Sequence, residues 1–301
     1  MKIAILSKGS KNFSTQRLVK AARKRGHKPT VLDYTQCYME IEERKPNVHY
    51  AGKAIIGIDA VIPRIAARYT AYGAAVVRQF ETMGVLTTAK SIAIVRSRDK
   101  LRSLQLLARE EIDIPKTAFA SHPRDISDLI EQVGGTPLIV KLVESTHGKG
   151  VVIAETPKAA RSVIQAFYSI GAPILVQEFI READGNDIRT IVIGGKAVAS
   201  MLRRGMTGEF RSNIHMGGKG EPTDLSKKEE KLAVKAAKKL GLDIAGVDFV
   251  RSARGPLVIE VNSSPSLEGI EGVTKLDIAN EFIKYLETNV GRKPKKDVVG
   301  A

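Results

Sequence analysis

The sequence predicts an α/β protein: a doubly wound parallel sheet to about residue 95, then an α+β part built from hairpins. Three observations predict it. Short apolar runs alternate with helical patterns over the first part of the chain. Later runs are joined by short Gly-rich loops, the mark of antiparallel pairs. And "LVIEVNSSPSLEGIE", Leu257 to Glu271, begins as a buried strand yet places Glu260 and Asn262 two apart inside an apolar run. Strand side chains alternate faces, so those two polar groups point the same way.

Taken in order, "KIAILS" reads as a strand, "STQRLVKAARKRG" as a basic amphipathic helix, and "KPTVLD" and "DAVIPRI" as strands. "TAYGAAVVRQFETMG" is a helix leading to the strand "VLTT". No G-x-G-x-x-G follows the first strand, which argues against dinucleotide binding there. A helix is expected at "SRDKLRSLQLLARE", a strand at "KTAFA" and a helix at "PRDISDLIEQVG". "TPLIVKLVESTHGKGVVIAE" reads as a strand, a Gly-rich tip and a strand, with Ser145 to Gly150 expected to be mobile. "PKAARSVIQAFYSIG" is a helix before the strand "PILVQEFI". From "DIRTIVIGG" onward the pattern is antiparallel, with a basic loop "RRGMTGEFRSNIHMGGKG". Ser226 and Glu229 form a capping box for a helix that Gly241 stops. The hairpin "DIAGVDFVRSARGPLVIEVN" and a helix from Leu276 to Leu286 complete the fold. The tail "GRKPKKDVVGA" is polar and Pro-interrupted, hence disordered in expectation.

The resulting divisions are 1–95, 96–180 with the Gly-rich flap, 181–288 with the polar hairpin, and a basic tail 289–301. The chain's 301 residues, 43% of them hydrophobic, suffice for two or three cores. No apolar run reaches the ~20 residues that span a bilayer. The single cysteine, Cys37, excludes an intramolecular disulfide framework. A soluble cytoplasmic protein is the expectation. The net charge of +15, from 48 Lys and Arg against 33 Asp and Glu, implies an acidic partner: nucleotide phosphates, nucleic acid or an acidic peptide. A basic solvated surface is the alternative. The absence of Trp argues against a base-stacking platform.

The polar hairpin carries the chemistry. Asp248 lies in "GVDFV", another apolar strand. It faces Glu260 if an odd number of residues makes up the loop, and Ala253-Arg254-Gly255 suits a three-residue turn. Two carboxylates and an amide then converge on one face, an oxygen-only set suited to Mg²⁺ or Mn²⁺. The competing explanation is a structural carboxylate paired with Arg251. If the carboxylates face each other unpaired, neutralising one leaves stability unchanged or raises it. Lys141, alone in "LIVKLV", needs an anionic partner or a route to water. Glu178 ends an apolar strand, and Asp187 follows a flexible Asp-Gly-Asn. Arg203, Arg204, Arg211 and Asn213 suit phosphate recognition, although a solvated basic loop explains any one of them.

These strings together resemble the ATP-grasp carboxylate–amine ligases, and within them the RimK type. That type comprises glutamate ligases acting on the C-terminus of a small-subunit ribosomal protein (S-six). "CYMEI", "AVIPRI", "RDKLRSLQLLAR", "LIVKLVE", "FRSN", "IAGVD" and "IEVNSSPSLEGIE" carry the resemblance, which runs from "MKIAILS" to "KLDIA". It implies an ATP-grasp fold behind an N-terminal pre-ATP-grasp domain. It implies ATP contacts at Lys100, Lys141, Glu178, Phe179, Asp187, Arg211, Ser212 and Asn213. It implies two Mg²⁺ or Mn²⁺ ions on Asp248, Glu260 and Asn262, and a transferring-phosphate contact at Arg203. Arg64 and Arg189 are candidates for holding the acidic substrate. Two departures stand out: "STHGKG" where "GTQG-x-G" is expected, and "SSPSLEGIE" where "ASPGLEGIE" is expected. The implied reaction activates a carboxylate as an acyl phosphate, which the amine of glutamate attacks. Poly-glutamate formation and a dimer or tetramer also follow from the resemblance. A small-molecule glutamate ligase of the same fold, and a non-catalytic basic nucleic-acid-binding protein, are the other hypotheses.

Overall fold

The computed structural model describes residues 1–43, 45–120, 124, 126–143, 150–205 and 218–291. The tail from 292 and most of the Gly-rich tip lie outside them, so the expectations made there are untouched.

The chain opens with β1 (Lys2–Ser7), α1 (Phe13–Lys24) and β2 (Lys28–Leu32). Three short strands follow, β3 (Tyr38–Glu40), β4 (Asn47–Tyr50) and β5 (Lys53–Ala54), forming a small antiparallel sheet that the sequence did not announce. Each is two to four residues long, too short for a period-2 pattern to stand out. Next come β6 (Ala60–Arg64), α2 (Thr70–Thr82) and β7 (Leu86–Thr87). Strands β2-β1-β6-β7 form the expected parallel sheet, with Ile3, Ile5, Val61 and Ile62 fully buried.

The single helix expected from Ser97 to Glu110 is in fact two: α3 (Ser91–Arg98) and α4 (Lys100–Arg109). Asp99 breaks the run. It sits in an extended conformation and its side chain accepts from the Arg102 N–H, so it caps α4 rather than continuing α3. Then come β8 (Thr117–Ala120), α5 (Ile126–Gln132), β9 (Leu138–Leu142), β10 (Val151–Ala154), α6 (Pro157–Ser169) and β11 (Ile174–Glu178). The antiparallel sheet β10-β9-β11-β8 has its own core, including Leu138, Val140, Ile164 and Val176. The expected hairpin β9–β10 is present, with Val151 opposite Lys141.

The last sheet, β14-β13-β12-β15-β16, joins β12 (Asn186–Ile193), β13 (Lys196–Arg204), β14 (Lys219–Pro222), β15 (Ile244–Ser252) and β16 (Gly255–Asn262). Helices α7 (Lys227–Lys239), α8 (Glu268–Thr274) and α9 (Ile278–Asn289) complete the chain, so the final helix runs further than expected. The capping box at Ser226 and Glu229 is formed, and Gly241 takes the left-handed φ of +81° that ends α7. One continuous apolar cluster runs from Leu6 and Phe80 of the parallel sheet to Phe249 and Val261 of the last one. The pairs Arg17–Glu271 and Arg25–Glu287 tie α1 to α8 and α9. The first and last sheets therefore form one packed body, while the central sheet carries its own core above them.

Candidate active site

A cavity of about 860 Å³ opens between the three sheets. Its floor is the hairpin β15–β16. Asp248 stands opposite Glu260, and Gly246 opposite Asn262, as the sequence required. The route differs from the expected one. The turn is the two-residue Ala253-Arg254, since Ser252 pairs with Gly255, and the odd residue is supplied by a bulge at Ile259. A bulge and a three-residue loop shift register equally, so the facing pair survives.

The electrostatics of the floor correct the expectation of two unpaired carboxylates. Asp248 is 2% exposed and is gripped bidentately by Arg189, with Nε to Oδ1 at 2.7 Å and Nη2 to Oδ2 at 2.5 Å. The Arg203 Nη2 approaches its Oδ2 at 3.1 Å. Arg203 in turn holds Asp187, its Nε donating to Oδ1 at 2.7 Å and its Nη2 to Oδ2. Both grips are direct cross-strand pairs: Arg189 with Asp248 across β12–β15, and Asp187 with Arg203 across β12–β13. Burial alone would raise the Asp248 carboxyl, but Arg189 and Arg203 outweigh it and hold it below the ordinary carboxylate value. The proposed structural partner Arg251 is elsewhere, bonded to Glu229. Glu260 is exposed to the cavity instead of buried and has no hydrogen-bond partner among the described residues. The Nδ2 of Asn262 is buried and likewise meets no partner, so nothing fixes which end of the amide faces the cavity.

Lys141 enters from the central sheet. Its Nζ donates to Gln177 Oε1 at 2.6 Å, and Gln177 Nε2 donates to Thr117 Oγ1 at 2.8 Å. Burial pushes its ammonium down to about 8, against an opposing pull from Glu260. Glu178, at the end of β11, also faces the cavity, but its carboxylate is taken by Arg254 at 2.8 and 2.5 Å and by the Lys116 N–H at 3.1 Å. That hydrogen bond to Arg254 holds its carboxyl low. Phe179 lines the same wall. Lys100 does not line the cavity; its Nζ donates to the carbonyls of Leu142 and Val143 and so supports the base of the flap strand. Arg64, at the end of β6, lines the cavity and donates from Nη1 to the Pro265 carbonyl at 2.7 Å. Arg211, Ser212 and Asn213 lie outside the described residues.

The structure thus gathers Asp248, Glu260, Asn262, Lys141, Asp187, Arg203, Arg189, Glu178, Phe179 and Arg64 around one space. Sequence reasoning missed Gln177 and Arg98. Gln177 carried the same signal as Lys141, a polar residue inside the apolar strand "ILVQEF". Arg98 opens the string "RDKLRSLQLLAR", but nothing in that string marks it as a cavity residue; its place in the lining does.

As a cation site the floor fits in part by what it leaves open. Among the described residues no cluster of three or more His, Cys, Asp or Glu side chains gathers. The candidate set needs an amide, Asn262, whose Nδ2 makes no hydrogen bond, and Glu260, which makes none among the described residues and reaches Lys141 only through its charge. These two groups beside a low carboxylate, all able to present oxygen, suit a hard divalent cation.

Residues 1–94 match the RimK PreATP-grasp domain, and residues 97–286 match the RimK-like ATP-grasp domain. The chain belongs to the RimK-like ATP-grasp family. It is an ATP-dependent carboxylate–amine ligase by kind. A probable alpha-L-glutamate ligase of Thioalkalivibrio sulfidiphilus is 57% identical over 289 residues, covering 96% of each chain. The corresponding Vibrio cholerae protein is 54% identical over 296 residues, covering 98% of each. Among solved structures, the ATP-grasp ligase PsnB complexed with minimal precursor, Mg and ADP superimposes with a TM-score of 0.76. It is 21% identical and covers 97% of this chain and 98% of its own. D-alanine–D-alanine ligase from Bacillus anthracis, complexed with ATP, gives 0.69 at 19% identity, covering 96% of this chain and 97% of its own. These two share the fold.

Proposed function

We propose that this chain joins glutamate to a carboxylate at the end of an acidic peptide or protein tail, with a small-subunit ribosomal protein (S-six) as the acceptor. The observation that carries the reading is the cavity's charge arrangement. Asp248, Glu260 and Asn262 on its floor face a space that Lys141 enters from one side and Arg64 from another. A site for a carboxylate, a triphosphate and a divalent cation needs both signs within reach. Relatives named probable alpha-L-glutamate ligase support glutamate, and the PsnB complexes with a precursor support a peptide acceptor.

In this mechanism the acceptor carboxylate takes the γ-phosphoryl group of ATP, and ADP departs. The amine of glutamate then attacks the acyl phosphate; an amide forms and phosphate leaves. Catalysis of this kind is positioning plus charge neutralisation. Lys141, fixed by Gln177, presents a desolvated ammonium to the phosphates. Arg203 and Arg189 pair with Asp187 and Asp248 and line the cavity, where their charge would meet a phosphoryl oxygen. Lys100, Glu178, Phe179, Asp187, Arg211, Ser212 and Asn213 belong to the nucleotide side of this proposal. Asp248, Glu260 and Asn262 would hold Mg²⁺ or Mn²⁺, two ions in the full assembly, and bound there they would neutralise phosphate charge. The hairpin β9–β10, on a sheet with its own core, lines the cavity with Ile139, Lys141 and Val151, and in this mechanism it is the part that keeps water from the acyl phosphate.

The test is incubation with ATP, Mg²⁺, glutamate and an acceptor peptide ending in glutamate, read by intact mass and ADP formation. A mass ladder stepping by one glutamyl residue supports the reading. ADP formation that depends on a small amino-acid or coenzyme acceptor, with the peptide left unmodified, overturns it in favour of a small-molecule ligase.

A further inference from the structure

The cavity has a second group of basic side chains, supplied by β6 and α3 instead of by its hairpin floor. Arg64 donates to the Pro265 carbonyl, and Arg98 donates from Nη2 to the Ile65 carbonyl at 2.8 Å. The Arg98 Nε is buried with no partner. Neither guanidinium is bonded to a carboxylate among the described residues, which is unusual for arginines in such surroundings. Asp187 is held by Arg203, Asp248 by Arg189 and Glu178 by Arg254, while the exposed Glu268 at the start of α8 also lines the cavity and forms no ion pair with either arginine among the described residues. Glu260 acts on Arg98 only at a distance, and a cation on the floor would claim it. Burial, and after it the nearby charge of Arg98, lowers Arg64 to about 10, so the pair is held together against its own repulsion.

A third element contributes as well. Asn12, Phe13, Ser14 and Thr15 line the cavity, and they form the N-terminus of α1. Asn12 makes no side-chain cap, and the first turn holds no acidic residue. The helix therefore presents uncapped N–H groups and the positive end of its dipole to the cavity. Its Ser14 Oγ accepts from the Leu267 N–H at 3.0 Å, which fixes α1 against the turn that also supplies the acceptor for Arg64. Two carboxylate-free arginines and an uncapped helix start, locked to one turn, make a preformed anion receptor.

We propose that Arg64, Arg98 and the first turn of α1 bind a substrate carboxylate that does not react, which sets the requirement for acidic substrates. This rests on the ligase reading above. The carboxylate comes either from the side chain of the acceptor's last residue or from the incoming glutamate. A planar carboxylate matches the guanidinium fork, and removing one charge-assisted partner weakens binding by roughly 10- to 100-fold.

The experiment uses the full chain and two readouts. Calorimetry with free glutamate, a tetraglutamate peptide and their glutamine counterparts measures carboxylate binding without turnover. Steady-state assays then give KM for glutamate and for the peptide separately. The variants are Arg98→Gln, Arg64→Gln and the charge-keeping Arg98→Lys, each checked for unchanged ATP affinity as proof of fold. The expected result is a 10-fold or greater loss of affinity, and rise in KM, for one carboxylate probe, with partial recovery in Arg98→Lys. The glutamate arm rising identifies the amine substrate; the peptide arm rising identifies the acceptor. Unchanged KM for both overturns the proposal, as does wild-type binding that treats glutamate and glutamine probes alike. If wild type binds the acidic probes in an Arg98-dependent way yet makes no product, the receptor stands and the ligase reading fails.

Discussion

Asp248→Asn separates the two jobs of the cavity floor. Asp248 is 2% exposed and accepts from both Arg189 and Arg203. Removing its charge strips Arg189 of the carboxylate that grips it, while Arg203 keeps Asp187. Breaking a buried ion pair by removing one partner costs about 3–5 kcal/mol. The surviving Asp187–Arg203 pair and the amide's own acceptor put this case near about 3 kcal/mol. A chain of this size loses roughly 2–3 °C per kcal/mol, so the variant should melt roughly 6–9 °C below wild type in the absence of ligands. Glu260→Gln is the internal control. Glu260 is exposed and unbonded among the described residues, so the stability of this variant should stay within about 0.5 kcal/mol of wild type. Both variants should lose about 10²–10³ in turnover. The pH dependence has a definite sign. The folded Asp248 carboxyl lies below its unfolded value of about 4, so its stabilisation is complete above that pH and lost as pH falls through the folded value. The melting gap should be flat from about pH 5 to 8 and close under about pH 4. Differential scanning fluorimetry beside an ADP assay measures all of this. An Asp248→Asn protein that melts with wild type, or a Glu260→Gln protein that melts as early as Asp248→Asn, refutes the reasoning.

Lys141→Met should raise the melting temperature at pH 7, because burial holds the folded ammonium near 8, well under its unfolded value. That gain should shrink as pH rises past 8, where the folded lysine is already neutral, while ATP affinity by calorimetry should drop at least about tenfold at pH 7. Gly246→Ala places a Cβ 2.9 Å from the Pro265 Cβ, so the turn that holds Arg64 must shift. We expect a loss of about 1–3 kcal/mol in urea unfolding together with a raised KM for the carboxylate substrate. Ser226→Ala removes the formed capping box of α7, whose residues do not line the cavity, and should cost about 1 kcal/mol in the same assay with unchanged turnover.

Much of this protein was legible in the chain itself. The period-2 runs and Gly-rich turns gave the hairpins, and the alternation of strands and helices gave the parallel sheet. The facing of Asp248 and Glu260 was legible because both lie in one hairpin: parity of side chains and a short loop leave only two choices of face. Even there the local means differed, a bulge at Ile259 in place of a longer turn, since both satisfy the same parity. The break at Asp99 was hidden because a residue that can cap is also tolerated on a helix surface.

The partners of those carboxylates belong to the tertiary structure. Arg189 reaches Asp248 because β12 lies beside β15, two strands separated by most of the last sheet's sequence, and no local pattern states that order. The chain therefore announced polar residues on a strand, but not that one would be clamped by arginines and the other left open. Arg98 joins Arg64 only because the end of α3 lies against the chain just after β6, where its guanidinium bonds the Ile65 carbonyl. Sequence by itself determined the longer strands, their faces and the chemistry each face could offer, because those depend on neighbours two to ten positions away; the short strands β3 to β5 escaped it. Which charges meet, and which are left for a ligand, was decided by strand order and by the packing of separate sheets, because electrostatic pairing acts through space rather than along the chain.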